Sequence, residues 1–136
     1  MADAVVVTRE FDAPRELVFR AWTEREHLLR WFAPKTFTTP YCSVDLRVGG
    51  MFHYCMRTPE GQDIWGRGVY REIVAPERLV FVDSFADEQG NAAEPARYGT
   101  SADYPFETLV TVTFEERDGK TLVTVRQEVP ESVPER

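Results

Sequence analysis

Apolar and polar positions alternate with period two along most of this chain, and fall at helical spacing only near its start. The segment VVVTREF, residues 5–11, sets Val5, Val7 and Arg9 against Val6, Thr8 and Glu10, as a first strand would. Asp12 is then a candidate N-cap, and Pro14 suits a first helical turn. Leu17, Val18, Ala21 and Trp22 make one apolar stripe, which predicts a short helix. Thr23-Glu24-Arg25-Glu26 reads as a capping box opening a second short helix with Leu28, Trp31 and Phe32, stopped by Pro34. From Tyr41 onward the period-two pattern predicts strands over 40–47, 51–58, 63–74, 78–86, 107–116 and 121–129. The joins are turn-like: Val48-Gly49-Gly50, Pro59-Glu60-Gly61, Ala75-Pro76 and Asp118-Gly119. The exception is 87–105, rich in Ala, Gly, Asp and Glu with Tyr98 and Tyr104 embedded, which reads as a mobile surface loop, a rim or lid. One strand, two helices and a long antiparallel meander make an α+β chain, and its 136 residues, without repeat or linker, suit one domain spanning 1–136.

Two hairpins can be set in register. With Asp118-Gly119 as a two-residue loop, Arg117 pairs with Lys120, Phe114 with Val123 and Val112 with Val125, while Thr113 and Thr124 share the other face. Around Gly49-Gly50, a two-residue loop would oppose Cys42 and Cys55 and invite a disulfide. A three-residue bulged loop instead matches Leu46 with Phe52 and Val44 with Tyr54. The hydrophobic match favours the bulged register, with Cys42 facing the core beside Met56 and Cys55 pointing away.

Charge and cysteine narrow the function classes. A net charge of −7 argues against phosphate-backbone binding and against an anionic membrane surface. No run reaches the ~20 apolar residues of a membrane span. The first ten residues lack a basic, signal-like start. With only two cysteines, these features predict a cytoplasmic protein with reduced thiols and no nucleic-acid or membrane partner.

Candidate chemistry is sparse. The bulged register gives the sheet an inner face carrying Phe52, Tyr54 and Met56, continued on the next strand by Ile64, Gly66, Gly68 and Tyr70. The two glycines leave a side-chain gap that a ligand would fill. Alternatively they relieve sheet curvature, or an aromatic neighbour packs over them. Trp31 and Phe32 would close one end of such a cavity, or belong to ordinary core packing. Asp83 interrupts LVFVDSF on the face of Leu79, Phe81 and Phe85, where desolvation would raise its pKa and make it an acid, a base or a ligand anchor, unless it lies near water at the strand end. The expected ligand wall is therefore Trp31, Phe32, Phe52, Tyr54, Met56, Gly66, Gly68, Tyr70, Phe81 and Asp83. His53 falls on the outer face with Met51 and Cys55, and His27 among charges. No metal-ligand spacing, nucleophile pattern or phosphate loop is present, and no cofactor is implied.

REFDAPRELVFRAWTEREHLLRWFAP, DLRVGG and GRGVYREIVAPERLVF together resemble the bacterial proteins related to the activator of the heat shock protein 90 ATPase. These belong to the START-like (SRPBCC) superfamily, whose fold is also seen in the major birch pollen allergen. The resemblance covers nearly the whole chain. It implies a helix-grip fold: a curved antiparallel sheet of about seven strands, with two short helices after strand one, wrapping a long C-terminal helix. That last helix is absent from the sequence given, which runs VPESVPER with Pro130 and Pro134 where relatives continue. Three functions follow as expectations. The first is a non-enzymatic module binding a small, mostly apolar molecule. The second, implied by the resemblance alone, is a co-chaperone-like module acting on a chaperone or other protein. The third is a cyclase or hydrolase using the cavity Asp and Tyr residues. A homodimer is compatible with each.

Overall fold

The computed structural model describes residues 5–24, 28, 36–94, 98 and 107–128. Its strands are β1 (Val5–Phe11), β2 (Thr38–Val44), β3 (Met51–Arg57), β4 (Asp63–Val74), β5 (Arg78–Phe85), β6 (Thr108–Arg117) and β7 (Lys120–Glu128), with helix α1 (Arg15–Thr23) after β1. They form one antiparallel sheet in the order β1-β7-β6-β5-β4-β3-β2. The meander from β2 to β7 follows chain order, and β1 completes it by pairing with β7 from Val5↔Gln127 to Phe11↔Thr121. The sheet curls into a half-barrel around its apolar face, with α1 docked against β6 and β7. This is the helix-grip class that the periodicity and the motifs pointed to.

The core is the inner face of that sheet. Phe52, Tyr54, Tyr70, Leu79, Phe81, Val112 and Phe114 are buried there, joined by Val18 and Phe19 from α1. Phe19 meets Phe114 edge-on at 5.2 Å, and Trp22 lies 6.3 Å from the same ring. Leu17, on the same helix, stays 45% exposed.

The β6–β7 hairpin has the predicted register, Arg117↔Lys120 through Val112↔Val125. Asp118 (φ 53°) and Gly119 (φ 80°) both take the left-handed backbone that a two-residue hairpin loop of this twist requires. The β2–β3 hairpin differs from expectation. Its pairs are Val44↔Phe52 and Cys42↔Tyr54, so the connection is longer than three residues and Leu46 does not oppose Phe52. The loop is held instead by β4: the Gly49 amide donates to the Tyr70 carbonyl and the Tyr70 amide to the Gly50 carbonyl, both at 2.9 Å. Leu46 and Val48 are left in water. The slip spans two positions, so side-chain parity survives: Cys42 joins the core, Cys55 is buried on the opposite face, and both are free thiols.

Further differences are local. Strand β2 covers 38–44 rather than 40–47. Pro14, not Asp12, caps α1, its carbonyl accepting from the amides of Leu17 and Val18. Thr23 closes α1 and its hydroxyl donates back to the Phe19 carbonyl at 3.0 Å, while the Leu28 amide donates to the Glu24 carbonyl at 3.0 Å. Of the expected second helix only Leu28 is described, helical and buried; Glu26, Trp31, Phe32 and Pro34 lie outside the described residues, as do His27, Tyr104 and 129–136. A bulge between Tyr70 and Glu72 returns Ile73 to the core side of β4 opposite Leu79. The described start of the β5–β6 connection is a compact turn rather than an open loop: Asp87 Oδ1 accepts from the amides of Gln89 and Asn91, and Ala86 bridges Ala92.

Candidate functional site

Of the wall expected from sequence, Phe52, Tyr54, Gly66, Gly68, Tyr70, Phe81 and Asp83 meet on the inner face of β3–β5, with Met56 partly buried beside them. Trp31 and Phe32 lie outside the described residues. The side chains fill the space they were expected to frame. Phe52 stacks on Tyr54 at 5.6 Å and meets Phe81 edge-on at 5.0 Å. A Cβ at Gly66 would strike the Tyr54 ring. One at Gly68 would strike the Phe52 ring and come within 2.9 Å of Phe81. The glycines are there because two aromatic rings lie flat across β4, the alternative weighed above.

Two polar features interrupt this wall. Tyr54 Oη donates to Asp83 Oδ1 at 3.3 Å. Burial pushes the Asp83 carboxyl up to about 7, and the Tyr54 hydroxyl draws it partly back. Its strand neighbour Thr108 accepts from Gln127 Nε2 at 2.9 Å. The Tyr70 hydroxyl, by contrast, is buried without a partner among the described residues, and burial holds its pKa well above the usual phenol range. Among the described residues no group of three or more His, Cys, Asp or Glu side chains could hold a metal ion.

Open space occurs elsewhere. A groove of about 530 Å³ runs between the edge of the sheet and the helix. Its walls are Val7, Arg9 and Phe11 of β1, Val123 and Val125 of β7, and Leu17, Val18, Ala21 and Trp22 of α1, with Ala13 at the end. None of the eight described residues expected from sequence lines it. The signal was present in the alternation of β1 and the stripe of α1. Reading it needed the knowledge that β1 pairs with β7 and is the edge of the sheet, leaving every β1 residue exposed.

The outer face also holds more than the sequence suggested. His53 is buried on this face, and its Nε2–H donates to the Asp87 carbonyl at 2.9 Å. Its ring lies 5.0 Å from Trp65 and 5.6 Å from Tyr41. Arg67 donates to the Gly90 carbonyl at 3.0 Å, so the 86–93 turn is fastened over this second, smaller apolar layer.

A half-barrel sheet with α1 across one end and an apolar groove beside it defines a START-like, helix-grip protein. More narrowly, the chain belongs to the family described as "Activator of Hsp90 ATPase homolog 1-like protein", which it matches over residues 12–136. It is similar to a crystallised protein from Mycobacterium smegmatis (26% identity, TM-score 0.76), covering 95% of this chain and 74% of that one. It is similar also to a protein from Arthrobacter aurescens solved by NMR (27%, TM-score 0.77; 95% and 73% covered). An HSP90 activator from Plasmodium falciparum shares the fold at 24% identity and TM-score 0.62, with 96% of this chain and 76% of that one covered. No curated protein matches the sequence. Among the described residues no helix is long and apolar enough to cross a membrane.

Proposed function

We propose that this chain is a non-enzymatic binding module for a small, mostly apolar molecule, held in the groove between β1, β7 and α1. The observation that carries the reading is the groove itself. It falls within the range of small-ligand sites, ~300–1,000 Å³, and its described lining is apolar apart from one residue. The aromatic wall of β3–β5 then acts as the rigid core behind the groove, with Asp83 and Tyr54 its polar pair. The free thiols of Cys42 and Cys55 support a cytoplasmic setting for the module. The test uses a neutral fluorescent probe, N-phenyl-1-naphthylamine. Its emission should rise on binding to the protein and fall back in Val7→Trp, which fills the groove from an exposed edge strand. Circular dichroism should stay unchanged. Equal probe binding by the variant would sink the reading.

A second reading is a protein-interaction module. It is favoured by the half-exposed apolar side chains around the groove, Val7 at 50% and Phe11 at 40%, and by the family's name. Native mass spectrometry separates the two, since a ligand carrier retains a small adduct and an interaction module does not.

A further inference from the structure

We infer that the groove selects an apolar anion: a molecule with a hydrocarbon body and one acidic head, which Arg9 receives. The inference rests on the reading of the groove as a ligand site and adds the class of ligand. Among the described residues, Arg9 is the only charged one lining the groove. It stands on β1 between Val7 and Phe11, on their side of the strand and opposite Val123 of β7. Most guanidinium groups among the described residues have a carboxylate at hand, as Arg57 has Asp63 at 2.7 Å and Arg78 has Glu72 at 2.9 Å. Arg9 has no ion pair or hydrogen bond among the described residues. The adjacent acid, Glu10, belongs to the opposite face of β1 and lies 4.0 Å from Lys120. In a chain of net charge −7, a cation that is unpaired among the described residues and set in an otherwise apolar described lining is the feature that calls for a counter-charge.

The chemistry of that counter-charge follows. The methylene stem of Arg9 can lie along the apolar wall while its head reaches the rim. The guanidinium presents parallel N–H donors that match a carboxylate, sulfonate or phosphate oxygen pair. A ligand body filling the groove displaces water from beside this pair and strengthens it relative to one on open surface. A cationic head would be repelled. The acidic protein as a whole disfavours an anionic bilayer, so the ligand is a free amphiphile rather than a membrane surface.

The experiment compares two probes with the same rings, 1-anilinonaphthalene-8-sulfonate and the neutral N-phenyl-1-naphthylamine, by fluorescence titration against wild type, Arg9→Gln and Arg9→Lys. Arg9 is exposed, so neither substitution threatens the fold. Arg9→Gln should weaken the sulfonate probe about fivefold, equivalent to about 1 kcal/mol, the upper end for an exposed ion pair. Arg9→Lys should retain most of the affinity, and added salt should weaken the sulfonate probe alone. The neutral probe should ignore all three changes. Free dodecanoate should displace the sulfonate probe. Displacement by phosphatidylglycerol vesicles and not by dodecanoate would overturn the free-amphiphile assignment. If both probes bind and Arg9→Gln leaves the sulfonate probe unchanged, the anion selectivity is wrong and the groove reading stands. If neither probe binds, both are wrong. Light scattering in that event tells whether a second copy of the chain occupies the groove.

Discussion

Asp83 and Gly68 show how one residue's surroundings set its role. An aspartate ionises near pH 4 in an unfolded chain, and Asp83 does so at about 7 when folded. Between those values the folded state holds a proton that the unfolded state has released. The stability this group contributes is therefore full below about pH 4 and is lost as pH rises through about 7. Asp83→Asn should remove that part of the pH dependence. Urea midpoints measured at about pH 5 and about pH 8 should converge for the variant, by on the order of 2 kcal/mol, less than full burial would give because the side chain still touches water. An unchanged pH slope would mean the carboxyl is solvated. Gly68 makes an opposite point about space. A methyl group there meets two aromatic rings, so Gly68→Ala should cost ~1–3 kcal/mol in chemical denaturation. A neutral or stabilising result would mean the rings do not lie across the strand. Both positions were legible in sequence as exceptions within an apolar wall. Whether the glycines framed a void or accommodated rings was not, because that depends on the rotamers of Phe52 and Tyr54, which belong to another strand.

At the scale of elements, the chain is most legible where a turn has its own chemistry. Asp118-Gly119 specifies its loop length, and the whole β6–β7 register follows from it. Val48-Gly49-Gly50 does not, because that loop is held by the backbone of Tyr70, far along the chain. Matching apolar partners gave the right faces and the wrong pairs. The faces have a direct check: Cys42 and Cys55 lie on opposite sides of the sheet. Denaturing the protein in an alkylating agent without reductant should give two modified thiols by mass spectrometry, whereas none would indicate a disulfide and a different register. The approach to α1 depends on Thr121, which is fully buried and donates its hydroxyl proton to the Ala13 carbonyl at 2.8 Å. Thr121→Val keeps the shape and strands that carbonyl. It should lower stability by ~1–3 kcal/mol in urea, and a loss much smaller than that would mean water replaces the hydroxyl.

For the whole molecule, the strand order carries information that periodicity does not. Alternation announces seven strands and the inner face of most of them. It cannot say that the first strand lies beside the last, and the position of the groove follows from that one adjacency. The adjacency also bears on when the protein can finish folding. Strands β2 to β7 each pair with a neighbour in sequence and can join as the chain leaves the ribosome. Strand β1 emerges before the other six, with Val5, Val6 and Val7 together, yet its partner β7 is the last of the seven to be made. Until β7 is made this apolar segment lacks its sheet partner, and closing so long a loop is slow. The nascent chain is thus most vulnerable to misassociation at its N-terminal strand, a hazard set by topology rather than by the stability of the finished sheet.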